Sequence, residues 1–227
     1  MILKSNSLSK KFYSKKVLKD INIFIESNKI YGLLGPNGSG KTTFMRIVAN
    51  LIKNTSGSLL INDIPVGKNT KKYVSFMPTE DFLPRWMKIE DAINFYDSGY
   101  FDFDKENCLN LLKKFNLKPS LRTKDLSTGM KQGLKICLTL SRDAKLFLLD
   151  EPFNGIDILA KDKIKEIILQ KSNLTNSIII SSHLIDDLEN LIGHALFLKD
   201  GEIVFNKETK EFEKEEKNIS DMYREVF

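Results

Sequence analysis

Gly35-Pro36-Asn37-Gly38-Ser39-Gly40-Lys41-Thr42 matches the phosphate-binding loop G-x-x-x-x-G-K-[ST] at every fixed position. The apolar run Ile30-Tyr31-Gly32-Leu33-Leu34 before it reads as a buried strand. Residues 43–51 after it have the apolar spacing of a helix. Strand, glycine loop and helix form the setting this motif needs. The glycines let the backbone wrap with its N–H groups inward, an anion nest that side chains would obstruct. A helix starting near Lys41 points its positive dipole end at the same place. Lys41 adds a mobile cation for the β- and γ-phosphates, and the Thr42 hydroxyl is a ligand for Mg²⁺. The expectation is a bound nucleoside triphosphate.

Composition narrows the setting. The 227 residues are 41% hydrophobic and 29% charged, which suits a globular fold of one large domain or a core with a smaller lobe. No apolar run approaches the roughly 18–20 residues of a membrane span. Met1-Ile2-Leu3-Lys4-Ser5-Asn6 has no signal-peptide core, so a membrane role is expected through a partner. Cys108 and Cys137 lack metal-ligand spacing and read as reduced thiols of a cytosolic protein. The formal charge of +5 is spread over lysines interleaved with acids. That pattern describes a solvated surface, and no nucleic acid is expected as a partner. No internal repeat is evident. The stretch 207–218 mixes both signs and reads as an exposed helix or a frayed end.

Along the chain, strands are expected at 3–12, 21–26, 58–61 and 73–76, and helices at 89–95, 105–115 and 128–142. Two very apolar runs, 145–149 and 177–181, suit central parallel strands covered on both faces. A helix at 158–170 supplies the crossover between them. The pattern is an α/β core interrupted by a helical lobe.

Hydrolysis needs acids at the carboxyl end of a buried strand, and Leu146-Phe147-Leu148-Leu149-Asp150-Glu151 supplies two. Asp150 suits Mg²⁺, held through its water shell, and Glu151 suits the general base that polarises the attacking water. His183, in Ser181-Ser182-His183, follows another buried strand and lies where ligands collect in an open α/β sheet. From there it could hydrogen-bond the γ-phosphate and the attacking water. Leu126-Ser127-Thr128-Gly129-Met130 opens the long helix. Ser127 is a good N-cap, and the helix end is also a second anion site that the Gly129 backbone lets a ligand approach.

In this order, the phosphate loop, L-S-x-G, the apolar run ending D-E-P, G-x-D and S-S-H resemble the nucleotide-binding subunit of an ABC (ATP-binding cassette) transporter. The likeness spans about residues 2 to 206. It implies an α/β fold: a P-loop NTPase (RecA-like) core with an N-terminal antiparallel β subdomain and an inserted α-helical subdomain. One ATPase domain would cover 1–206, its core at about 1–80 and 143–206 and its helical subdomain at about 81–142. A charged C-terminal tail, 207–227, would follow.

The resemblance also implies ATP and Mg²⁺ as cofactors and a head-to-tail sandwich with a second ABC ATPase subunit, as a homodimer or a heterodimer. Gly35, Pro36, Asn37, Gly38, Ser39, Gly40, Lys41, Thr42 and Thr43 would hold the triphosphate. Ser127 and Gly129 would contact the γ-phosphate on the opposite subunit. Glu151 and His183 would be catalytic, Thr42 and Asp150 the metal residues, and Asp157 part of the D-loop linking the two sites. Tyr13 best matches the aromatic that stacks on adenine, with Phe12 the alternative. Such stacking is worth about 1–3 kcal/mol; a strand-end aromatic packed in the core is the alternative for Tyr13.

The chain departs from the family pattern in three places. Thr128 and Met130 replace residues of the usual L-S-G-G-Q, and Gly133 stands where an arginine is common. Thr79 takes the place of the Q-loop glutamine that touches Mg²⁺, with Glu80 next to it as a substitute. The expected function is ATP hydrolysis that energises a separate transmembrane permease subunit, at the cytoplasmic side of the membrane. The M-P-T-E and S-T-G-M-K-Q wording resembles bacterial export ATPases for peptides and drugs. The alternative is a soluble ABC ATPase acting on nucleic acid or the ribosome. The segment Phe82-Leu83-Pro84-Arg85-Trp86-Met87 either receives a coupling helix of the membrane partner or buries Trp86 as core filling.

Overall fold

Alternating burial writes the first strands. In the computed structural model, which describes residues 1–172, 176–213 and 217–227, β1 (Leu3–Phe12) and β2 (Lys15–Ile25) form an antiparallel hairpin. Leu18, Ile21, Ile23 and Ile25 face inward from β2 while the residues between them face water. β2 starts at Lys15 rather than near Ile21, because its lysine-rich first half pairs with the end of β1 instead of forming a loop. β3 (Ile30–Leu34) is buried at all positions, as a central strand must be. The phosphate loop and α1 (Lys41–Val48) follow it. β4 (Ser56–Ile61) and β5 (Ile64–Pro65) complete a four-stranded antiparallel sheet in the order β2-β1-β4-β5.

β6 (Val74–Met77) returns to the main core, and three helices then form the lobe: α2 (Ile89–Gly99), α3 (Lys105–Lys114) and α4 (Thr128–Leu140). Asp104 caps α3 by accepting the Asn107 N–H at 2.9 Å. A buried ion pair, Arg142 to Asp102 at 3.0 Å, ties the turn between α2 and α3 to the core. Arg142 also donates to the Val74 carbonyl at 2.8 Å. Gly133 has a packing reason: a Cβ there would stand 2.6 Å from the Phe115 ring, which closes over α4 at that point.

β7 (Leu146–Asp150), α5 (Ile158–Ser172) and β8 (Ser177–Ser182) form the crossover unit, and β9 (His194–Lys199) and β10 (Glu202–Glu208) end the sheet. Its order is β10-β9-β3-β8-β7-β6, parallel except for the antiparallel edge strand β10. β8 lies between β3 and β7. The carboxyl ends of these three strands therefore open side by side, and they carry the phosphate loop, Asp150 and His183. Alternate strand residues feed two cores. Tyr31, Leu33, Leu146, Leu148 and Ile179 pack with α1 and the antiparallel sheet, while Leu34, Phe147, Leu149, Ile178 and Ile180 pack with the lobe and α5. Cys108 and Cys137 are buried free thiols whose pKa burial pushes up.

The exposed tail expected from 207 onward is corrected by the structure. β10 continues to Glu208, and α6 (Thr209–Glu213) and α7 (Ile219–Val226) fold back onto the core. Phe212, Ile219 and Met222 are buried there, and Tyr223 stacks on Phe227 with ring centroids 4.1 Å apart. The charges occupy the outer face of an amphipathic helix. Residues 214–216 of this stretch lie outside the described residues.

Candidate nucleotide site

The phosphate loop bends where only glycine is at ease: Gly38 and Gly40 have φ of 82° and 114°. Gly40 ends the loop as the residue before α1, whose first-turn N–H groups face the opening. The Ser39 hydroxyl inside the loop is buried without a partner. Beside the loop lies a cleft of about 640 Å³ lined by Asn37, Gly38, Gly40, Lys41, Thr42 and Thr43 on one wall. Thr79, Glu80, Glu151, Asn154 and His183 form the opposite wall.

Within the cleft the charged groups are held in a definite order. Lys41 Nζ donates to the Gly35 carbonyl at 2.7 Å and lies 3.4 Å from Glu151 Oε1. The other Glu151 oxygen is 2.9 Å from His183 Nδ1. An ionised carboxylate only accepts, so Nδ1 carries the proton and Nε2 is left free. Thr42 Oγ1 donates to Asp150 Oδ2 at 2.8 Å. A hydroxyl and a carboxylate side by side are hard oxygen donors of the kind Mg²⁺ takes, alongside water and phosphate oxygens.

The structure brings Lys41, Thr42, Asp150, Glu151 and His183 together, but it does not bring Ser127 and Gly129 to them. Ser127 caps α4, accepting the Met130 N–H at 3.2 Å, and is exposed. Gly129 faces Asp157 and Ala160, with a Cβ position 3.7 Å from Asp157 Oδ2. Asp157 itself accepts the Ala160 N–H at 2.9 Å, as a helix cap does. The N-terminus of α1 borders the cleft, whereas that of α4, capped by Ser127, lies outside its lining. Tyr13 sits fully exposed at the hairpin tip with φ 51°, outside the cleft walls. Phe12 is partly exposed with Lys10 over its ring.

The sequence profile described as "ABC transporter" matches residues 18–154, from β2 through the turn behind Glu151. The chain belongs to the ABC transporter family. The lantibiotic transport ATP-binding protein SrtF of Streptococcus pyogenes is 31% identical over 91% of both proteins. A solved ATP-binding subunit of an ABC transporter superposes with a TM-score of 0.90 at 22% identity, covering 100% of this chain and 99% of the other. A dimeric cassette, MJ0796, bound to ADP and Pi superposes at 0.81 with 20% identity, covering 91% and 98%. The protein is an ABC transporter ATP-binding subunit, an ATPase that uses ATP and Mg²⁺.

Residues 79–81 on the cleft's edge are tied down from two sides. Thr79 Oγ1 reaches the Asp150 carbonyl at 3.3 Å, and the Thr79 carbonyl accepts Lys135 Nζ at 2.8 Å. Lys135 is buried on α4, and desolvation lowers its pKa. Glu80 pairs with Arg46. Its own backbone N–H, and then Arg46, hold its carboxyl below the usual range. Asp81 pairs with Lys131 at 2.9 Å. Three cations therefore pin the segment 79–81, from α1 on one side and α4 on the other. Sequence reasoning misses Lys15 and Val17, which line the cleft because the β1–β2 hairpin folds toward the loop. It also misses Asn154, which only the Asn-Gly turn signal of 154–155 could have flagged.

Proposed function

We propose that this cleft binds ATP through the 35–43 loop, with Thr42 and Asp150 holding Mg²⁺, Glu151 acting as general base and His183 orienting Glu151. The observation that carries the reading is the convergence of Lys41, Thr42, Glu151 and His183 on one cleft, with the buried Asp150 bonded to Thr42. Tyr13, exposed at the hairpin tip, is the surface for adenine. Thr79, bonded beside Asp150, stands in for the Q-loop glutamine, and Glu80 serves Arg46 instead. Ser127 and Gly129 complete the site of a second copy, and Asp157 links the two. Ile158 and Leu159, about three-quarters exposed beside Asp157, supply apolar surface for that contact. All the hydrolytic parts lie in one chain, which favours a homodimer.

The membrane partner docks in a groove of about 550 Å³ between core and lobe, lined by Leu51, Ile52, Phe76, Phe82, Tyr96 and Tyr100. No helix among the described residues is long and apolar enough to cross a membrane. An amphipathic helix of a permease subunit is the occupant this apolar groove fits, which puts the protein at the cytoplasmic face. Trp86, 69% exposed, lies outside the groove's lining, on the surface and not in the core. The cargo proposed is an exported amphipathic peptide or drug-like molecule, a reading supported by SrtF, whose name assigns it to lantibiotic transport. Leu51→Glu is expected to abolish co-purification with the permease and cellular tolerance to an added amphipathic peptide. The ATPase of the isolated chain should stay within about twofold of wild type, because Leu51 is an exposed surface residue. Unchanged co-purification would remove the groove from the proposal.

A further inference from the structure

Ser181 lies on β8, fully buried, between the strand that leads to the phosphate loop and the strand that ends in the acids. Its register partner on β7 is Asp150. Ser181 Oγ donates to Asp150 Oδ1 at 2.5 Å and accepts the backbone N–H of Glu151 at 2.9 Å. The direction is fixed by chemistry, since a carboxylate only accepts and an amide N–H only donates. Asp150 thereby has both oxygens engaged, Oδ1 by Ser181 and Oδ2 by Thr42. Glu151 has φ 51°, a left-handed conformation that a non-glycine residue holds only when its surroundings impose it. The bond to Ser181 acts at the N–H of that strained residue.

We propose that Ser181 is a positioning residue for ATP hydrolysis: its single hydroxyl sets the carboxylate of Asp150 and the backbone bend that aims Glu151. The adjacent Ser182 does a different job. Its Oγ accepts the Leu184 N–H and donates to the Leu184 carbonyl, so it closes the turn that carries His183. Removing the Ser181 hydroxyl would leave Asp150 Oδ1 without its donor in a pocket closed to water, free to rotate away from Thr42. It would also leave the Glu151 N–H unpaired at the bend. The inference rests on the roles proposed above for Asp150 and Glu151.

Supporting groups of this kind typically change metal affinity or activity by about 10–100-fold. Ser181→Ala is therefore expected to lower kcat, and to raise the Mg²⁺ concentration that half-saturates ATP binding, by about 10–100-fold each. ATP binding in EDTA and the circular dichroism spectrum should stay at wild type. Ser181→Thr keeps the hydroxyl and should recover most of both losses. If Ser181→Ala cannot be folded, Ser181→Cys, of similar size with a weaker donor, is expected to show the same two losses in smaller degree. Changes below about twofold in kcat and Mg²⁺ dependence would overturn the proposal. So would equal losses with and without Mg²⁺, which describe general damage, or a folded threonine variant as impaired as alanine. Asp150→Asn measured in parallel separates two failures. Wild-type Mg²⁺ dependence there defeats the roles given to the acids, whereas an impaired Asp150→Asn beside an unaffected Ser181→Ala defeats this inference alone.

Discussion

Glu151→Gln is expected to lower kcat by about 10²–10⁴-fold, the usual loss for a positioned base, while ATP still binds. Glutamine has the size of glutamate and can still accept from His183 Nδ1, which stands 2.9 Å from the present carboxylate. What it lacks is the basicity to polarise a water. The binding wall, made by the 35–43 loop and Lys41, does not depend on that basicity. Subunits that close on ATP would then stay closed, so ATP-dependent dimers should accumulate in sedimentation of the purified variant. The opposite pattern, wild-type turnover without trapped dimers, would remove Glu151 from the base role.

Lys41→Ala is expected to act on the earlier step. Hydrogen bonds to a charged partner contribute roughly 1.5–3 kcal/mol each, so loss of the ammonium should weaken ATP binding by about 10–100-fold. Lys41 is 6% exposed, and its ammonium is bound to the Gly35 carbonyl and lies beside Glu151, at the point where the loop meets the acid. The alanine variant also leaves Glu151, itself mostly buried, with His183 Nδ1 as its remaining side-chain partner. Calorimetric titration with ATP measures the effect. An unchanged Kd would mean that the loop backbone alone holds the phosphates.

The residues that the structure gathers at the cleft are legible in the sequence because their motifs are local. Loop, strand-end acids and strand-end histidine each announce themselves within a few residues, and a parallel sheet brings strand ends together by construction. What escapes is set by pairing across distance. Lys15 reaches the cleft only because a hairpin pairs Phe12 with Lys15 and folds toward the loop. Ser181 gains its partners from the register of β8 on β7, one residue of slip away from facing the other side. Gly133 looks like a missing arginine until Phe115 is found over it. The C-terminal stretch reads as charged tail because its apolar residues, Phe212, Ile219, Met222 and Tyr223, are spaced for a helix face that has no partner until β9 and β10 supply one.

The proposed shared site would turn a nucleotide-binding chain into a paired machine, and it can be tested by mixing two impaired proteins. Lys41→Ala keeps Ser127 but has a weakened phosphate loop, whereas Ser127→Arg keeps the loop but blocks what it offers its partner. If each ATP lies between Lys41 of one copy and Ser127 of the other, neither protein alone hydrolyses ATP appreciably at an ATP concentration well below the Kd of the Lys41→Ala variant. Their mixture restores one intact site in every mixed dimer, and random pairing returns roughly a quarter of the wild-type rate. A mixture as inactive as its components, or a Ser127→Arg protein as active as wild type, would contradict a site built by two copies of this chain.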